Sequence, residues 1–227
     1  MSGVVGPRKS VIYDGLIFYV DAYNKNSIST GETIWKDLIQ SNNGTLTNGA
    51  TYVNVNGGAI SFDGVDDFVD FLGFNAISEL GNGGPTTISC WFKPLVLGQR
   101  MLVACPGVPR YYIECFNRGG TLVAHWGFGA QQNSGTSQAI LSLNNIYNYL
   151  VTYDGTNILS YLNGSLTDTV NIGSQSYNNS NLRIGKYTNL SPLNFNGDIY
   201  QTLIYNRALS SSEVLINYNA IKSRFNV

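Results

Sequence analysis

The segment 147–172 constrains the fold more than any other. Tyr147 to Tyr153 (YNYLVTY) is followed by Asp154-Gly155-Thr156-Asn157, then by Ile158 to Leu162, Asn163-Gly164 and Ser165 to Ile172. These are β-branched and aromatic runs separated by Gly-bearing turns, and that arrangement predicts consecutive antiparallel hairpins. The same punctuation recurs at Thr86 to Pro94 (TTISCWFKP), Met101–Cys105, Arg110–Asn117 and Thr121–Gly127, with Asn117-Arg118-Gly119-Gly120 as a further hairpin turn. Val11 to Asp21 (VIYDGLIFYVD) reads as the first strong strand, and Leu182–Gly185 and Gly197–Tyr205 complete the set. About a dozen short strands at such regular spacing predict an all-β, antiparallel two-sheet sandwich rather than βαβ units.

Within that pattern, Ala59 to Phe71 (AISFDGVDDFVDF) holds two alternating runs around Asp63-Gly64-Val65-Asp66-Asp67. A counterpart, Phe195-Asn196-Gly197-Asp198-Ile199, precedes the last strand, and the two stretches are expected to become neighbours. Only Ser210 to Ser223 departs from strand character. Ser210 and Glu213 form a capping-box pattern ahead of Val214, Leu215, Tyr218 and Ile221, which predicts one short C-terminal helix. Residues 1–10 lack periodicity and read as an N-terminal arm; 11–227 reads as a single sandwich domain.

Composition narrows the function. The formal net charge is -1, only 12% of residues are charged, and beyond Arg8-Lys9 no basic cluster occurs. Phosphate neutralisation, and with it nucleic-acid binding, is therefore not expected. No apolar run reaches membrane-spanning length, and the N-terminal residues lack the apolar core of a signal peptide. Cys90, Cys105 and Cys115 make an odd count without close pairing, which argues for free thiols and assembly in a reducing cytosol. Cys90 alternates with Ile88 and Phe92, and Cys115 with Ile113 and Tyr111, as small core residues do.

Several segments together resemble the laminin-G-like jelly roll of the concanavalin A-like lectin/glucanase fold. They are Gly15–Ala22, Trp35-Lys36-Asp37-Leu38, Asn43–Gly49, Phe62–Val69, Ile88–Pro94, the Asp154-Gly155 hairpin with Tyr161–Gly164, Gly197-Asp198-Ile199, and Ile204–Ser210 with Glu213. The ordered set runs from Gly15 to Tyr218. Its opening is similar to the version found in tailed-bacteriophage virion proteins. That resemblance implies a non-catalytic structural or decoration protein of a capsid, fibre or tail surface. Its partners would be other virion proteins or copies of itself, and it would be made in the host cytoplasm and carried on the virion. The alternative is a carbohydrate-binding or adhesion module, calcium-dependent, that touches a host surface glycan.

Asp63, Asp66, Asp67, Asp70 and Asp198 form the constellation suited to a hard cation, because carboxylate and carbonyl oxygens match Ca²⁺. The resemblance points to Asp63 and Asp198 first, with Asp66 and Asp67 behind them; the bland reading is a turn with solubilising carboxylates. Asp14, Asp21 and Asp37 are better read as turn or cap residues at strand ends. Glycoside hydrolysis needs two facing carboxylates about 5–10 Å apart. The glutamates Glu32, Glu79, Glu114 and Glu213 form no such pattern, with Glu114 the least poor candidate. His125 is the sole histidine and reads as structural, and no GxSxG elbow is present, so no enzyme is expected. Among the aromatics, Tyr111, Tyr112, Tyr147 and Tyr149 include residues that a period of two turns outward, as interface or glycan contacts. Trp35, Trp91 and Trp126 are read mainly as core. The tail Lys222 to Val227 reads as a frayed end or a contact arm.

Overall fold

The computed structural model describes residues 10–106, 110–129, 131–132, 139–177, 180–188 and 193–227. Apart from Ser10, the arm expected over residues 1–10 lies outside the described residues. In chain order the first strands are β1 (Leu16–Asp21), β2 (Ile34–Trp35), β3 (Gly44–Thr47), β4 (Thr51–Val53), β5 (Ala59–Asp63) and β6 (Phe68–Phe71). Helix α1 (Ala76–Leu80) is followed by β7 (Thr86–Pro94), β8 (Arg100–Cys105), β9 (Arg110–Arg118), β10 (Thr121–Gly129), β11 (Gln131–Gln132) and β12 (Ala139–Leu141). The chain continues through β13 (Tyr147–Tyr153), β14 (Asn157–Leu162), β15 (Ser165–Asn171), β16 (Leu182–Ile184) and β17 (Asn196–Tyr205) to α2 (Ser211–Ile221).

Two antiparallel sheets face each other in a jelly-roll sandwich. One runs β15-β14-β13-β7-β17-β5-β4, with β1 also on β17; the other runs β11-β10-β9-β8-β16-β6-β3-β2, with β12 on β10. The hairpins expected from turn chemistry form as read. Asn163 and Gly164 both take positive φ (52° and 76°), the pair of left-handed conformations that a two-residue hairpin matched to strand twist requires.

Between the sheets lies an apolar layer including Phe18, Trp35, Phe62, Phe71, Phe92, Ile113, Trp126 and Val151. Cys90, Cys105 and Cys115 are all free and fully buried. Burial alone pushes the Cys90 thiol up to about 12, so it stays protonated and acts as a small apolar filler.

The outer face of the β7/β13/β17 sheet is covered as well. Leu150, Tyr161, Leu203 and Tyr205 pack there with Leu209 and Val214 of the C-terminal segment. Trp91 lies parallel to the Tyr218 ring, 5.5 Å between centroids, and 4.9 Å from the Phe225 ring. The apolar side chains of β7 therefore divide by parity: Ile88, Cys90 and Phe92 face the inter-sheet core, and Trp91 faces the helix.

Helix α2 begins on the expected capping box. The Ser210 hydroxyl accepts from the Glu213 backbone N–H, while the Glu213 carboxylate accepts from the Ser210 N–H at 2.9 Å. The Arg207 guanidinium grips the same carboxylate at 2.7 and 3.0 Å and holds it at about 2, well below the usual range.

Two expectations need correction. The first strand spans Leu16–Asp21 rather than Val11–Asp21, because Gly15 turns at φ 72° and leaves residues 11–15 outside the ladder. A second short helix, α1, also exists. Its N-cap is Asn75, whose side chain accepts from the Ile77 and Ser78 N–H groups, and its five residues are too few to show a helical period.

Candidate functional site: an acidic crossover turn

Strand β5 belongs to one sheet and β6 to the other, so Gly64–Asp67 is where the chain crosses between layers. The two stretches expected to meet do so: β17 pairs antiparallel with β5, Asn196 opposite Asp63 and Asp198 opposite Ser61. The turn is heavily cross-tied. Asp63 accepts from the Val65 N–H at 2.7 Å, and Asp67 Oδ2 accepts from the Asp63 N–H at 2.9 Å. The carbonyls of Asp63, Val65 and Asp66 accept from the side-chain amides of Asn196, Asn194 and Asn48 respectively. Gly64 (φ 80°) is needed here, since a Cβ would sit 2.7 Å from Asn196 Cβ.

The result is a concentration of negative charge. Carboxylate oxygens of Asp63, Asp66 and Asp67 lie within 4.8 Å of one another. Asp63 and Asp66 are exposed, but Asp67 is only 3% exposed, and its Oδ1 has no hydrogen-bond partner among the described residues. Burial first, then the neighbouring Asp63 and Asp66 charges, raise the Asp67 carboxyl above its ordinary value, although the Asp63 N–H opposes them. Asn194, 6% exposed, likewise has a buried Oδ1 without a hydrogen-bond partner among the described residues. A hard oxygen donor set with unpaired buried acceptors fits a calcium ion.

Of the expected ligands, Asp63, Asp66 and Asp67 come together and Asp198 does not join them. Asp198 takes a hydrogen bond from Ser61 and lies opposite Lys93, and burial raises its carboxyl. Asp70 pairs with Arg183 at 3.3 Å. Asp37 is a turn residue as expected: its carboxylate accepts from the backbone N–H groups of Tyr19, Ile39, Gln40 and Asn42. The sequence reading missed Asn194, which sits one residue before the Phe195–Ile199 counterpart and whose side-chain amide braces the turn at the Val65 carbonyl.

The tyrosines call for a correction. Tyr111 and Tyr149 point into the core, and Tyr112, although on the opposite face of β9 from Tyr111, is only 5% exposed because Tyr187 and Leu193 pack over it. Tyr147 is half-buried, and its hydroxyl accepts from the Ser142 N–H. None of the four offers a free aromatic platform.

Glu114 and His125, on consecutive strands of one hairpin, face each other across the β9/β10 ladder with Glu114 Oε1 2.9 Å from His125 Nδ1. Both are buried, and the Gln99 amide donates to both carboxylate oxygens at 3.2 and 3.0 Å. A carboxylate so enclosed has no path to a glycosidic oxygen.

Fold and turn together define a lectin-type β-sandwich. The chain belongs to the laminin-G-type family of the Concanavalin A-like lectin/glucanases superfamily, whose model matches residues 63–215. No curated protein matches the chain. Among solved structures it is similar to a mutant of Trypanosoma rangeli sialidase displaying trans-sialidase activity, with TM-score 0.68 and 17% identity over 95% of this chain. It spans only 34% of that sialidase's length. It is also similar to domain 4 of AbnA, an extracellular arabinanase of Geobacillus stearothermophilus solved with arabinotriose. There the TM-score is 0.64 and the identity 18%, covering 88% of this chain and 96% of that one. The binding domain of Paraclostridial Mosquitocidal Protein 1 aligns with TM-score 0.64 and 20% identity, over 91% of this chain and 52% of that one.

Proposed function

We propose that this chain is a non-catalytic binding module whose ligands are carbohydrates, with calcium held at the Asp63–Asp67 turn. One observation carries the reading: 88% of the chain aligns with 96% of domain 4 of an arabinanase that was solved with an oligosaccharide. Two further features support it. The buried Glu114 is committed to Gln99 and His125, and the turn carries three convergent carboxylates on a braced backbone. Asp63, Asp66 and Asp67 would hold the ion, which supplies a rigid positive centre and relieves their mutual repulsion. The asparagine cross-ties keep the turn in place whether or not an ion is bound.

A glycan array run in calcium and again in excess chelator tests this. Binding to a defined set of saccharides that weakens in chelator is the expected result; no saccharide bound in either condition refutes it.

A second reading, a surface subunit of a bacteriophage particle, is favoured by the apolar side chains left outside the sandwich. Leu215 and Ile216 on α2 are 48% and 47% exposed, and Leu166 on the edge strand β15 is 53% exposed, as self-association would use. The two readings are compatible in a virion protein that touches host polysaccharide. Solution mass by light scattering tests the second: a defined oligomer unaffected by chelator supports the particle subunit, and a monomer argues against it.

A further inference from the structure

A cleft of about 440 Å³ opens where the C-terminal segment leaves the sheet, lined by Asp21, Tyr23, Asn56, Gly57, Ser223 and Arg224 among others. That volume lies in the range that small-molecule sites occupy. We infer that this cleft is a saccharide subsite that stacks a neutral sugar ring on Tyr23; the inference rests on the binding-module reading above.

The aromatic surface is prepared. Tyr23 is 60% exposed, yet its ring is fixed in place. The Arg224 guanidinium carbon lies over it, 5.1 Å from the centroid. The Gly57 backbone (φ 83°) comes so close that a Cβ there would sit 2.5 Å from Tyr23 Cδ2. A large apolar ring pinned at the mouth of a cleft loses little freedom when a ligand covers it.

The polar groups select the ligand's charge. The Arg224 Nε donates to the Asn56 carbonyl at 2.9 Å, one terminal nitrogen donates to Asp21 at 2.8 Å, and the other donates to the Gly58 carbonyl. Asp21 further accepts from the Tyr23 N–H and from the Gln201 amide. The two charges thus neutralise each other, and neither is left for an anionic ligand. Uncommitted groups remain at the rim. The Asn56 amide donates to the Tyr200 hydroxyl at 3.2 Å, which leaves its Oδ1 open, and the exposed Ser223 hydroxyl bonds nothing among the described residues. An apolar platform beside one acceptor and one hydroxyl, without net charge, matches a neutral hydroxylated ring better than a phosphate or a carboxylate.

The cleft is separate from the acidic turn. Asp21 pairs with Gln201 of β17, whereas Asp63 pairs with Asn196 of the same strand. Five residues of strand separate the two by about 17 Å.

The test uses the glycan array with the full chain and three variants. Tyr23→Ala and Ser223→Trp, which removes the platform and fills the cleft respectively, are expected to weaken binding of the wild-type hits about tenfold, equivalent to ~1.4 kcal/mol. Tyr23→Phe, which keeps the ring, is expected to retain it. Amide shifts of the wild-type protein titrated with a hit saccharide give an independent readout, expected around residues 21–24, 56–58 and 220–224. Hits bound equally by Tyr23→Ala and Ser223→Trp, or shifts elsewhere, overturn the cleft and leave the module reading standing. A wild-type protein that binds no saccharide overturns both.

Discussion

Asp67 is the residue on which the calcium reading can be made to fail. Its carboxylate is buried beside two like charges, with one oxygen unpaired and its titration shifted upward. A carboxyl whose value is raised by folding favours the native state while protonated, and that contribution is lost as pH rises through the folded-state value. At neutral pH without calcium, ionised Asp67 is therefore a cost. Asp67→Asn removes that cost while keeping an oxygen to accept the Asp63 N–H. In chelator, the variant is thus expected to melt at or above the wild-type temperature.

Calcium reverses the order. A site of the kind found in extracellular modules has a Kd of ~10⁻⁴ M, and at a hundredfold excess of ion it stabilises by about 2.7 kcal/mol. For a chain of this length that raises Tm by roughly 5–10 °C, and Asp67→Asn, lacking one ligand charge, is expected to lose most of the rise. Differential scanning calorimetry in chelator and in 10 mM CaCl₂, an excess of about a hundredfold over such a Kd, measures both arms. A wild-type Tm that calcium leaves unchanged refutes the metal site. An Asp67→Asn variant destabilised equally in both buffers refutes the argument from buried charge, because Asp67 would then matter only to the turn.

Other perturbations test the scaffold. Glu213→Gln loosens the grip of Arg207 while its amide oxygen still accepts the Ser210 N–H, for about 1 kcal/mol in urea unfolding at pH 7 after allowing for solvent screening of a partly exposed pair. Because folding depresses the Glu213 carboxyl from 4.5 to about 2, the difference from wild type should shrink as pH falls through that window, and a difference constant from pH 7 to 2.5 contradicts the assignment. Leu150→Ala empties a fully buried site between β13 and α2 and is expected to destabilise by about 2–5 kcal/mol; a loss under 1 kcal/mol would mean that α2 does not cover the sheet. Glu114→Ala removes the buried carboxylate that lies 2.9 Å from His125 Nδ1 and accepts from the Gln99 amide, for roughly 3 kcal/mol. Adding His125→Ala should then cost less than the sum of the two single losses, and strict additivity would show that the pair is not coupled.

Much of the architecture is legible before any coordinates. Asn163-Gly164 can take the two left-handed conformations of a tight hairpin, and the period of two separates Cys90 from Trp91 onto opposite faces of β7. Local chemistry decides such matters, since turn conformation and alternation depend on a few adjacent residues.

What alternation cannot say is what lies above a face. Trp91, Leu150 and Tyr205 point away from the inter-sheet core, yet α2 and Phe225 cover them; Tyr112, outward by its period of two, is covered by Tyr187 and Leu193. The displacement of Asp198 from the acidic turn and the arrival of Asn194 there depend on register and on contacts across large sequence separations. Those are settled by packing of the whole sandwich, where each side chain is placed by neighbours that the local sequence does not contain.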